Sequence, residues 1–171
     1  MVRLRDEGPY IWVTWLTRLL SGDNSCEWSS WFKSQHDSSS WNKMPSDFNS
    51  TEWNLKHTAL LNDLRDNWEL DGYKVLTEGE NEFRLKGSTA TIAGKIDLLA
   101  LKDNEGVVID AKTGKPSPSH GAQILIYMYA LPLVYAQYKD ITLKGQIAYP
   151  DHVVDIPVSY THLTLPTILL V

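Results

Sequence analysis

Two short apolar runs, each interrupted by one aspartate, constrain this chain more than any other feature. The first reads Gly94-Lys95-Ile96-Asp97-Leu98-Leu99, and the second reads Val107-Val108-Ile109-Asp110-Ala111-Lys112-Thr113-Gly114-Lys115. Both have the length and aliphatic content of strands. A carboxylate on a buried strand is costly unless a cation lies beside it. Strand alternation puts Asp110 and Lys112 on the face of Val108, with Ile109 and Ala111 opposite, and Asp97 joins them if the pairing register allows.

Two close carboxylates raise each other's pKa unless a divalent cation neutralises both. Oxygen ligands suit Mg²⁺ or Mn²⁺ better than zinc, which prefers Cys and His. Lys112 then places an ammonium where it can orient a water and stabilise charge developing on phosphate. The stretch therefore predicts a divalent-metal site suited to phosphodiester hydrolysis. The competing reading is plain electrostatics, with Asp97 and Asp110 as solvated edge residues or as partners of Lys95 and Lys112.

The rest of the chain supports such a site without specifying it. With 171 residues, 43% hydrophobic and 22% charged, it fits one soluble globular domain with a sizeable core. A net charge of −5 argues against a broad basic surface but leaves room for a local groove. Cys26 is the single cysteine, which excludes an internal disulfide and a four-cysteine zinc or iron–sulfur site, and points to a reducing compartment. Residues 10–16 resemble the apolar part of a signal peptide, but Asp6 and Glu7 precede them and Arg18 interrupts them. No run approaches the roughly 20 apolar residues that span a bilayer. The expectation is a cytoplasmic protein with no membrane partner.

Along the chain, Trp12, Trp15, Leu16 and Leu19 predict a helix over 10–20 ended by Gly22. A second short helix is predicted from the N-cap Asp23, and a loop over 34–50. Asn49 and Glu52 are spaced as a capping box opening a long helix to Leu70, stopped by Asp71-Gly72. Strands are predicted over 73–77, 82–86, 91–101 and 106–112, the last two joined by a hairpin turn. Ser117-Pro118 opens a helix through Gln123, Tyr127 and Leu131 that Pro132 should kink or end. A last strand pair covers 143–149 and 152–156. The pattern predicts an α/β (α+β) fold with a mixed sheet.

All seven tryptophans lie at or before Trp68. They read as helical core packed on the sheet, or as a platform that stacks bases. Among the acidic residues ahead of the site strands, Glu78 is the candidate extra metal ligand, with a solvated strand end as the alternative. His120 could meet phosphate at a helix start or lie on the surface as an ordinary histidine. Thr113-Gly114-Lys115 lacks the spacing of a nucleotide-binding loop, which removes ATP binding.

Taken in order, Gly-Lys-Ile-Asp97, Val-Ile-Asp110-Ala-Lys112-Thr-Gly and Gln123-x-x-x-Tyr127 resemble the signature of the PD-(D/E)xK nuclease superfamily, in its RecB-like branch. His57, in Lys56-His57-Thr58-Ala59-Leu60-Leu61, stands in the place and order of the upstream helical histidine that completes the metal site in that branch. The resemblance covers about Glu52 to Leu131. It implies a restriction-endonuclease-like core, a central mixed sheet flanked by helices, in residues 51–157, with 1–50 as a helical N-terminal part of the same domain. It also implies His57, Asp97, Asp110 and the Ala111 carbonyl as metal ligands and Lys112 as the catalytic lysine. Gln123 and Tyr127 become DNA-contacting or site-orienting residues, though Tyr127 also fits a core position.

The activity implied is a Mg²⁺- or Mn²⁺-dependent deoxyribonuclease serving DNA repair, recombination or defence. The alternative is a non-catalytic nucleic-acid-binding subunit that keeps the fold. Some RecB-like members carry four cysteines for an iron–sulfur cluster, and this chain does not. No helicase segment is visible, so a helicase motor would be a separate partner. Finally, the ten residues 158–167, Val-Ser-Tyr-Thr-His-Leu-Thr-Leu-Pro-Thr, resemble the translation of a transposon-based sequencing adapter. Residues 158–171 are therefore expected to be a non-native tail.

Overall fold

Two β-sheets, rather than one, carry the site. The computed structural model describes residues 1–24 and 26–157; the tail reading of 158–171 lies outside the described residues. The chain runs β1 (Tyr10–Trp12), α1 (Val13–Leu20), α2 (Glu27–Gln35), α3 (Ser50–Leu70), β2 (Lys74–Thr77), β3 (Glu82–Lys86), β4 (Thr91–Lys95), β5 (Leu98–Lys102), β6 (Glu105–Ala111), α4 (Pro118–Val134), β7 (Thr142–Ala148) and β8 (Val153–Ile156). The larger sheet has the order β2-β5-β6-β7-β8, antiparallel except for β6 and β7. A smaller sheet, β1-β4-β3, pairs β1 parallel to β4.

The one parallel pair of the larger sheet dictates the layering. Parallel neighbours need a crossover, and α4 supplies it between β6 and β7. Its Ile124, Tyr127, Met128 and Leu131 are buried with Ile96, Leu99, Val108 and Ile147 in the main core. On the opposite sheet face, Leu98, Ala100, Val107 and Ile109 pack with Leu61, Leu64 and Trp68 of α3. Each such aliphatic side chain stabilises the fold by about 1.5–3 kcal/mol on burial. Alternation along β6 sends Val108 and Asp110 to the α4 face and Ile109 to the α3 face. Asp110 is thereby aimed at Gln123.

Gly94 allows α4 to close on the smaller sheet. A Cβ there would lie 2.6 Å from the Phe83 ring and 2.7 Å from the Tyr127 ring, and those two rings pack edge to face with centroids 5.7 Å apart. No described helix is long and apolar enough to cross a membrane.

Caps and turns match the local signals in several places. Asn49 caps α3 by accepting from the Glu52 backbone N–H at 3.1 Å, Gly72 follows it at φ 83°, and Ser117 caps α4 with Pro118 in its first turn. The β5–β6 hairpin turns through Asp103 and Asn104, with Lys102 facing Glu105.

Four expectations are corrected. Residues 10–12 form a strand instead of the first helical turn, because their backbone pairs with Thr91–Ala93. The buried positions of α1 are then Val13 and Thr17 rather than the tryptophan stripe. Cys26, not Asp23, caps α2, while the Asp23 carboxylate accepts a hydrogen bond from the Ser117 hydroxyl. The predicted loop is shorter at its start, since α2 reaches Gln35 and Asp37 caps a 3₁₀ turn over Ser38–Ser40. The strand over 91–101 is broken into β4 and β5, which belong to different sheets. Pro132, expected to kink or end α4, lies inside it, and the helix stops two residues later at Val134.

Candidate active site

The break between β4 and β5 is the local event that builds the site. Asn81, only 2% exposed, donates its side-chain amide to the Leu76 carbonyl at 2.8 Å, and its own carbonyl accepts the Ile96 N–H at 3.3 Å. The turn after β2 is thereby tied to the chain at Ile96. Asp97 follows immediately, outside either strand, and its Oδ2 accepts the Ala111 N–H at 2.8 Å. It reaches the end of β6 from a kink, not from the regular strand position expected.

Three ligand-type side chains meet there. One atom each from His57, Glu78 and Asp97 lie within 4.8 Å of one another, the metal-competent group among the described residues. His57 Nε2 is 3.5 Å from Asp97 Oδ2. That hydrogen-bonding contact holds the imidazole above its usual pKa against the opposing effect of burial. Glu78 also pairs with Lys95, Oε2 to Nζ at 2.6 Å. Lys95 therefore pairs with Glu78 in place of Asp97. Trp53, one helical turn before His57, stacks on the imidazole with centroids 4.7 Å apart and planes 18° apart.

Asp110 stands beside this trio in a different environment, with its side chain 1% exposed. Gln123 Nε2 donates to its Oδ1 at 3.0 Å and to the Tyr127 hydroxyl at 2.7 Å. Lys112 Nζ lies 2.6 Å from Oδ2, yet Oδ2 is buried without a hydrogen bond of good alignment. The contact is thus a close ion pair. Burial pushes the Asp110 carboxyl up to about 6, with Lys112 opposing and the Asp97 charge reinforcing the shift. Burial also raises the Tyr127 hydroxyl. His120 accepts or donates at the Tyr149 hydroxyl, Nδ1 to oxygen 2.8 Å, and burial followed by the Lys112 charge lowers its pKa.

Both sets line one cavity of about 440 Å³, together with Ala111, Trp12, Lys95 and Lys115. The donor set is carboxylate oxygens with one imidazole, the chemistry of a hard divalent cation. Asp110 adds to that fit: its buried Oδ2 already holds the Lys112 ammonium at 2.6 Å, as a carboxylate removed from water needs a positive partner.

Sequence reasoning placed His57, Asp97, Asp110, Ala111, Lys112, Gln123 and Tyr127 at one locus, and all of them line this cavity. Glu78, ranked only as an extra, lies closer to Asp97 and His57 than expected. Gln123 and Tyr127 are 5% and 1% exposed and hydrogen-bonded in a row to Asp110, the geometry of site-orienting residues. Asn81 was missed, and only its position in a turn could have drawn notice. Trp53 was missed as a site residue, although its i,i+4 spacing to His57 was legible.

Comparison with known proteins gives three findings. The PD-(D/E)XK nuclease superfamily matches over residues 27–153. No curated protein matches the chain. The crystal structure of SSO0001 is similar at a TM-score of 0.49 and 19% identity, over 99% of this chain and 79% of that one. The family match spans most of the chain and contains Asp97 and the Asp110-x-Lys112 strand end, and the chain belongs to the PD-(D/E)XK nuclease superfamily.

Proposed function

We propose that this protein is a divalent-metal-dependent deoxyribonuclease whose site is the cavity joining His57, Glu78, Asp97, Asp110 and Lys112. Superfamily membership supports phosphodiester hydrolysis, and its nucleases use divalent metals. The observation that carries the reading is the convergence of three ligand side chains beside a buried aspartate that is paired with Lys112. DNA as substrate, Mg²⁺ or Mn²⁺ as the ion, and service in repair, recombination or defence beside a helicase are the finer parts of the same reading. The order of His57, Asp97, Asp110-x-Lys112 and Gln123-x-x-x-Tyr127 supports the RecB-like branch.

Asp97, Asp110, Glu78 and His57 would hold the cation, and the Ala111 carbonyl at the end of β6 is the proposed main-chain ligand. Bound there, a divalent cation supplies Lewis-acid polarisation of a phosphoryl oxygen and an acidified water. The remaining work belongs to the chain. The Ala111 N–H fixes Asp97. Gln123 grips Asp110 by Oδ1 and leaves Oδ2 toward Lys112. Lys112, 23% exposed in its side chain, has an ammonium that can orient the attacking water and stabilise charge on the phosphate oxygens. Tyr127 locks the Gln123 amide in place.

The test is cleavage of single- and double-stranded DNA and of RNA with Mg²⁺, Mn²⁺ or EDTA, beside Asp110→Ala and Lys112→Ala. The reading predicts metal-dependent DNA cleavage lost in both variants. Cleavage that survives both would overturn the site, and binding without cleavage would identify a non-catalytic subunit.

A further inference from the structure

We propose that Trp53 is the surface on which an unpaired nucleobase of the substrate strand stacks, so that the site takes single-stranded DNA or a frayed duplex end. This inference rests on the nuclease reading above and narrows its substrate. Trp53 is 40% exposed although its ring already packs on His57 and stands 6.2 Å from Phe48. It lines the same cavity as Asp97, Asp110 and Lys112, and Trp12 of the smaller sheet lines that cavity too. An open indole within the cavity that holds the reacting groups is placed to contact whatever enters.

Charge identifies the occupant. The whole chain carries −5, and Lys95 and Lys112 of this cavity are paired with Glu78 and Asp110, but a divalent cation on those carboxylates would leave both ammoniums, beside Lys115, to meet phosphate. Cations for phosphate beside a flat aromatic for a base are the two parts of a single-strand binding site, which tracks the backbone by charge and the bases by stacking. Bases inside a duplex are covered on both faces by their neighbours. A base reaches Trp53 only when it is unpaired or extruded.

Packing on His57 offers a second explanation for Trp53, namely that it props the imidazole. The two roles separate experimentally. Binding and cleavage by the full chain would be measured with a single-stranded oligothymidylate, with copies carrying one abasic site walked along the strand, and with a blunt duplex. The proteins compared are the parent, Trp53→Ala and Trp53→Phe.

Stacking predicts that Trp53→Ala weakens single-strand binding and raises KM roughly 5- to 150-fold, the range of one base–aromatic stack, while kcat is largely retained. Trp53→Phe should recover most of the loss. One abasic position should hurt the parent strongly and Trp53→Ala hardly at all, because base and indole are lost as a pair. Blunt duplex should be insensitive to the substitution. The proposal is overturned if Trp53→Ala lowers kcat alone, or if every abasic cost is the same in parent and variant. Binding can be read in EDTA, so the two claims fail separately. Base-dependent single-strand binding without cleavage under any divalent ion would sink the nuclease reading and support the stacking site. Metal-dependent cleavage with a flat abasic scan would do the reverse. Should Trp53→Ala fail to fold, the abasic scan on parent and Trp53→Phe still decides.

Discussion

The site is built from two halves that differ in how the chain holds them. Asp110, Gln123 and Tyr127 sit on regular elements, are buried, and are joined in one hydrogen-bonded row. His57, Glu78 and Asp97 come from a helix, a turn and a strand break, and are kept together by Asn81, by the Ala111 N–H and by the ion pair of Glu78 with Lys95. The first half is rigid because a strand and a helix pack against each other over apolar neighbours. The second is rigid only as far as a few polar contacts make it so. The contrast assigns charge storage to the half on regular elements and ligand adjustment to the half held by polar contacts.

The sharpest way to break that contrast is to compare Asp110→Asn with Glu78→Gln. Asp110→Asn should lower kcat by about a thousandfold or more, the several kcal/mol that metal-assisted charge stabilisation is worth. Glu78→Gln should cost roughly 10- to 100-fold, mostly as a higher metal requirement. Steady-state cleavage at a series of Mg²⁺ concentrations distinguishes them, and equal losses at saturating metal would erase the difference between the halves.

Supporting residues should follow the same division. Gln123→Ala leaves Asp110 Oδ1 without its donor, and should cost roughly 10- to 100-fold in activity that added metal does not restore. Asn81→Ala unties the turn bearing Glu78 from the kink bearing Asp97. Its loss should lie at the lower end of that range and recover as Mg²⁺ is raised. Recovery of Gln123→Ala by metal would contradict the assignment.

The smallest effect expected is on stability against pH. Burial holds Asp110 up to about 6 in the folded protein, against 3.8 for the free group. A carboxyl whose folded pKa is raised binds its proton more tightly when folded. Its contribution to stability is therefore fully present below about 3.8 and lost as the pH rises to about 6. The melting temperature of metal-free Asp110→Asn, relative to the parent, should climb between pH 4 and pH 7. His57, also raised, loses its stabilising contact as pH increases through its folded value. Cation binding needs both groups deprotonated, so the Mg²⁺-induced shift in melting temperature should grow over the same rise in pH. A shift independent of pH would place the ion elsewhere.

What the sequence disclosed follows the same division. Asp110, Lys112 and the Gln123/Tyr127 pair were legible because strand alternation and helical i,i+4 spacing fix their directions from local order alone. The kink at Ile96-Asp97 was not, because it depends on Asn81 and on Ala111, fifteen and fourteen residues away. Nothing in an apolar run announces that its two ends will join different sheets. Trp12 was misread for a related reason. Its spacing to Trp15, Leu16 and Leu19 satisfies a helix, and only the pairing with β4 shows that residues 10–12 are extended. Asp23 is a good capping residue by type, but the chain uses it on Ser117 of α4 and leaves the start of α2 to Cys26.

The central claim is that this cavity holds one divalent cation between the two halves. Anomalous scattering from a crystal grown with Mn²⁺ tests it most directly. The account predicts a peak at roughly 2.0–2.6 Å from carboxylate oxygens of both Asp97 and Asp110, with Glu78 or His57 completing the shell. A peak that contacts neither aspartate, or full DNA cleavage in a crystal form whose cavity stays free of manganese, would contradict it.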